Sequence, residues 1–175
     1  MSLRLFAAVL AACLSLTAPA LAEEHPAGIH IHDVYARVNG GIGKTGAVFM
    51  MIHNNTATDD RLVEVRSDVA KLVELHTHLE GEDGVMKMER IEGGIALAAG
   101  EMHELARGGD HVMLMGLTRE LADGESFALT FVFEQAGEVV VEATVDNARK
   151  PGESQMNHDA MHGDGSHGDG HGHGG

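Results

Sequence analysis

Cysteine, tryptophan and proline are almost missing from this 175-residue chain, which has one Cys, no Trp and three Pro, with one Tyr. A single Cys cannot close an internal disulfide, so a disulfide framework is excluded. A zinc or copper site built on several thiolates is excluded with it. Positive charge is also scarce: 12 Lys+Arg stand against 27 Asp+Glu, a formal net charge of −15. That balance argues against binding to nucleic acid or to anionic membrane surfaces and favours cationic partners. No apolar run reaches bilayer length, the longest being Leu5 to Leu16. Gly-x-Ser-x-Gly, Walker and His-Glu-x-x-His motifs are all missing, so no enzyme is expected.

The short apolar run itself has a reading. Arg4 precedes it, and Ala20-Leu21-Ala22 gives the small-x-small pattern of a signal-peptidase site. Residues 1–22 are therefore expected to be a cleaved export signal, with Glu23 the first mature residue. Leu10-Ala11-Ala12-Cys13 also resembles a lipobox, which makes a lipid anchor at Cys13 the alternative. Cleavage after Ala22 would remove Arg4 and Cys13, leaving 11 Lys+Arg against 27 Asp+Glu, a net charge of −16 and no cysteine.

The abundant residues are 13 His and 10 Met, both of them metal-ligand types. Five of the His lie in residues 154–175, SQMNHDAMHGDGSHGDGHGHGG, which hold nothing able to fill a core. The expected organisation is a signal at 1–22, one domain at 23–150 and a disordered His/Met/Gly-rich tail at 151–175. Within the domain, alternating segments predict strands at 30–37, 47–53, 61–66, 71–78, 85–91, 103–106, 111–117, 126–133 and 138–145. Gly- and Asn-rich turns separate them, Asn54-Asn55 and Gly93-Gly94 among them. Nine short strands with no helical period predict an all-β antiparallel sandwich or barrel.

Three segments concentrate soft donors. ELHTHL puts His76 and His78 on one strand face, VMKM pairs Met86 with Met88, and HVMLMG aligns His111, Met113 and Met115. Uncharged imidazole and thioether donors suit Cu(I), whereas hard ions want carboxylate and carbonyl oxygen. The same residues also suit core packing, and spacing alone leaves both readings open. His30 and His32 share a face of the first strand and could take Zn²⁺ or Cu²⁺, though a rim position is the simpler reading. His53, next to Asn54-Asn55, reads as a turn residue, and only one of Met50 and Met51 can face the core. In the tail, His158, His162, His167, His171 and His173, interspersed with Asp, can wrap Cu(II), Ni²⁺ or Zn²⁺, and Met156 and Met161 add thioethers for Cu(I).

The segments DVYAR (33–37), GAVFMMIHN (46–54), VELHTH (73–78), GVMKM (84–88), EGGIAL (92–97) and HVMLMGL (111–117) resemble the periplasmic copper chaperones of the PCuAC (DUF461) family. The likeness runs from about Val34 to Val145. It implies a cupredoxin-like β-barrel binding Cu(I) through two His and two Met. Residue by residue, those ligands fall on His76, Met88, His111 and Met113. EGEDG (80–84) runs one residue longer than the family's usual spacing, which keeps Met86 as a substitute for Met88. The resemblance further implies a periplasmic copper carrier, and the chain is expected to be a monomer that is not membrane-inserted after signal cleavage. Its partner would be a copper-accepting oxidase subunit, in cytochrome c oxidase copper-centre assembly, or another copper assembly factor. Some members carry a similar tail, which implies Cu(II) binding there. Copper buffering without delivery, a secreted copper enzyme and a zinc- or nickel-binding module are the alternatives.

Overall fold

The computed structural model describes residues 27–81 and 84–153. These form ten strands in chain order and, among the described residues, no helix. They are β1 (Gly28–Asn39), β2 (Thr45–Asn55), β3 (Asp60–Arg66), β4 (Ala70–Glu80), β5 (Met86–Arg90), β6 (Ile95–Leu97), β7 (Met102–Leu105), β8 (His111–Leu117), β9 (Ser126–Phe133) and β10 (Gly137–Val145).

Alternation in the sequence becomes alternation in burial. On β9, Phe127, Leu129, Phe131 and Phe133 point inward, and on β8 Val112 and Leu114 are fully buried. One cluster takes residues from every strand except β5, so the ten-stranded sheet is folded over a single core. Each fully buried Leu, Ile or Phe stabilises that core by about 1.5–3 kcal/mol. Met50 lies in this core, while Met51 faces the other way.

Neighbours in the sheet run β5-β4-β8-β2-β1-β10-β9-β3-β6, with β7 also against β2. All pairs are antiparallel except β1 with β10, which run parallel and join the two halves of the sheet. The antiparallel pairing expected from the sequence holds everywhere in the sheet except at this seam. Its two strands come from hairpins at opposite ends of the chain, so hairpin turns do not dictate their relative direction.

Two strand-level expectations are also corrected. β6 was not foreseen; it is three residues long, too short for alternation to register. It sits against β3 because Gly94, at φ +79°, lets the chain pass where a Cβ would lie 2.2 Å from the Leu62 carbonyl oxygen. His53 lies inside β2 rather than in a turn. Asn54 after it is fully buried, and its side-chain amide donates to the carbonyls of Thr58, Leu97 and Ala98 at 2.9–3.2 Å.

Two buried charged residues brace loops. The Asp60 carboxylate accepts the backbone N–H groups of Arg61, Gln135 and Ala136 at 2.7–2.9 Å. Arg149, 3% exposed, pairs with Asp33, donates from Nε to the Glu153 carbonyl at 2.7 Å, and lies 4.0 Å over the Tyr35 ring. Asp33 is the one described non-glycine residue at positive φ (57°) and lies where the β1–β2 register shifts between His32 and Tyr35.

Candidate metal centre

β2 shares one of its edges between two strands. β8 pairs with Thr45 to Val48, and β7 pairs with Met50 to His53. The connection through Gly108-Gly109-Asp110 fills the gap, so His111 starts β8 where the ladder breaks. Its neighbours Val112 and Leu114 enter the core, which turns His111 and Met113 to the opposite face. His111 is nevertheless only 2% exposed. Phe49, His76 and His78 cover it, with ring centres 6.2, 6.1 and 5.0 Å away.

Register delivers the partners. On β4, His76 lies directly opposite His111 and Glu74 opposite Met113. On β5, Met88 lies opposite His78, Arg90 opposite His76, and Met86 opposite Glu80. His78, Met88, His111 and Met113 line one cavity of about 430 Å³, together with Phe49, Arg37 and Arg107. Met86 and Met115 are not among its lining residues. His76 is not among the lining residues either; its Nε2 lies 3.1 Å from Glu74 Oε2, while Glu74 Oε1 holds Arg90 at 3.1 Å.

These hydrogen bonds set the tautomers. His111 Nδ1 donates to the Gly109 carbonyl at 3.0 Å, which leaves the Nε2 lone pair as a ligand. His76 Nε2 donates to Glu74, which leaves the Nδ1 lone pair. Buried side-chain N or O atoms without a hydrogen-bond partner are three among the described residues: His76 Nδ1, His78 Nδ1 and Arg149 Nη1. Two of the three are at this site. Burial lowers the His111 pKa, with His78 and His76 adding to the effect, while the Gly109 carbonyl and Asp110 oppose it. A neutral imidazole is the form that binds a metal.

Among the described residues, no three His, Cys, Asp or Glu side chains are gathered closely enough to hold a metal by themselves. An ion here would have to draw on thioether sulfur, and Met88 and Met113, which line the cavity, are the residues that could supply it. That donor set fits a soft monovalent ion and does not fit a hard one.

The other sequence candidates fall elsewhere. His30, His53 and Met102 form a cross-strand row on β1, β2 and β7, with His32, Met51 and Glu104 as the next row. Six residues of β2 separate His53 from Ala47 beside Met113, roughly 20 Å of strand. Met156, His158, Met161, His162, His167, His171 and His173, like Cys13, lie outside the described residues. Sequence reasoning placed His78 beside His76 as a soft donor without choosing it as a ligand, and did not put forward Glu74, Arg37 or Arg107. The two-residue period linking Glu74, His76 and His78 was the available sign for His78 and Glu74.

Comparison with known proteins agrees with this architecture. The LpqE-like lipoprotein family model matches residues 29–145. The apo PCuAC domain of PmoF1 is 28% identical with a TM-score of 0.58, covering 70% of this chain and 97% of that domain. The copper-bound PCuAC domain of PmoF2 is 28% identical with a TM-score of 0.56, over 70% and 96%. The Leifsonia xyli subsp. xyli protein Lxx21020 is 29% identical over 106 residues, 61% of this chain but only 62% of its own length. The chain belongs to the LpqE-like (DUF461) family, and its ten strands have the cupredoxin-like fold of a PCuAC domain.

Proposed function

We propose that this protein is an exported copper carrier that holds Cu(I) through His76, His111, Met113 and Met88. One observation carries the reading. Two thioethers line one cavity with a buried imidazole whose Nδ1 is already committed to Gly109, and a second buried imidazole nitrogen in the same lining has no partner. The likeness to a copper-bound PCuAC domain supports copper as the cargo. Four neutral donors leave the ion with about one positive charge, and Arg37 and Arg107 in the lining disfavour any further cation. Such a site gives up its ion readily to an acceptor bearing thiolates. A copper-accepting oxidase subunit or another copper assembly factor is the expected partner. The His/Met-rich segment after Glu153 would collect Cu(II) or Cu(I) beside the body and raise its local concentration.

The test is an anaerobic Cu(I) titration of the mature chain against a competing chelator. His111→Ala and Met113→Ala should each weaken the tightest site by two orders of magnitude or more. Unchanged affinity in both variants would refute the body site. Delivery is tested by deleting the gene: loss of oxidase activity supports it, and copper sensitivity with intact oxidase supports buffering.

The family's lipoprotein name favours a second reading of the N-terminus, in which Cys13 is lipidated and retained. The mass of the N-terminal peptide decides: it begins either at Glu23 or at an acylated Cys13.

A further inference from the structure

The site holds one imidazole more than a two-His, two-Met ion needs. We propose that His76 and His78 are interchangeable ligands, so that Cu(I) pairs His111 and the two thioethers with either ring. This rests on the body site proposed above.

His78 has the marks of a ligand. It lines the same cavity as His111, Met88 and Met113, and it lies directly opposite Met88 in the ladder. Its ring is stacked on His111, with centres 5.0 Å apart and planes 25° off parallel. Its Nδ1 is buried and makes no hydrogen bond, a cost that a bound ion at that nitrogen would remove. His76 shows the same defect at its own Nδ1. Two rings on one ion, each with a nitrogen about 2.0 Å from it, have centres roughly 5–6 Å apart. The His78–His111 spacing of 5.0 Å and the His76–His111 spacing of 6.1 Å both meet that condition.

The two rings do not act together. Among the described residues no three His, Cys, Asp or Glu side chains are gathered into one group, an arrangement that favours one ring at a time over a centre of three imidazoles. They are also held differently. Glu74, tied to Arg90, fixes His76, whereas His78 faces the cavity beside the exposed β5. Alternation therefore moves the ion from the braced ring toward the cavity-lining ring, with His111 and Met113 retained. His78 is then the ligand from which an acceptor would take the ion.

The test uses the full mature chain with its tail His and Met replaced by Asn and Leu, so that only the body site is read. Anaerobic Cu(I) titration compares His76→Phe, His78→Phe and the double variant, with Ala versions as a second set and far-ultraviolet circular dichroism confirming the fold. Phe preserves the ring contacts and removes the donor. Two equivalent donor sets predict a loss of about two-fold for each single variant and 100-fold or more for the double. X-ray absorption should show two nitrogen and two sulfur ligands in each single variant. If the double variant is no weaker than His76→Phe alone, His78 is not a ligand. If either single variant costs as much as the double, the rings are not interchangeable. Failure of the unsubstituted site to bind Cu(I) would instead refute the copper-carrier reading itself.

Discussion

Replacing Arg149 by Met tests the packing behind the site. The change keeps most of the aliphatic stem but removes the ion pair with Asp33, the Nε bond to the Glu153 carbonyl and the cation over Tyr35. Breaking a buried pair from one side costs about 3–5 kcal/mol. Two features reduce that figure. The Asp33 side chain keeps 21% exposure, and the lost Nη1 was itself buried with no partner, which returns about 1 kcal/mol. The expected net destabilisation is about 2–3 kcal/mol, read as a lower urea midpoint at unchanged slope. Asp33→Asn should also destabilise, because it leaves the buried Arg149 cation unpaired, while the backbone adds little, since Asn tolerates the φ of 57° at that bulge. The double variant should then cost less than the sum of its two singles, since it removes both charges together. Arg149→Met within about 0.5 kcal/mol of the parent, or strict additivity in the double, would refute this account.

Three further outcomes are expected. Asp60→Ala strips the acceptor from three backbone N–H groups and should cost about 2–3 kcal/mol in urea unfolding; a near-neutral result would mean that water replaces it. Gly94→Ala, with its Cβ 2.2 Å from the Leu62 carbonyl oxygen, should cost more than about 1 kcal/mol and speed amide exchange in β3 and β6; protection equal to the parent's would contradict the close approach. The metal-free protein should lose stability as pH falls below 6.5. Burial depresses the folded-state pKa of His111, so the unfolded chain takes its proton first, and the benefit of the neutral ring declines from 6.5 toward the folded value. His111→Asn, with His76, His78 and Asp110 still facing the position, should show a shallower loss between pH 7.5 and 5.5. An equal slope would exclude His111 as a source.

Where apolar residues recur along a whole strand, the sequence already carried the boundaries: β8 and β9 begin and end where the expected strands 111–117 and 126–133 do. Elsewhere tertiary contacts override local signs. Asn54 carries turn chemistry, yet its amide is consumed inside the protein by three carbonyls, so β2 runs on through His53. Arg149 lies past the loss of apolar periodicity, and its burial depends on Asp33, 116 residues away in sequence. The site was legible as three donor-bearing strands because period two fixes faces. Their order was not, because β4 and β8 pair across 35 residues and the pairing is fixed only by the shared core. His78 shows the remaining gap. Its spacing revealed its face, while its stacking on His111 emerges only with the register.

No residue of β5 is buried, and the strand is fastened along one side only, to β4. Peeling it away would break a few ladder hydrogen bonds and leave every core contact intact. The thioether it carries can therefore let go while the ring and sulfur on β8 stay clamped between β4 and β2. In the proposed copper site the donors would then work like a vice with one fixed jaw and one that swings. Loading and unloading would need only the loose jaw to move, on the timescale of a fraying edge rather than of unfolding.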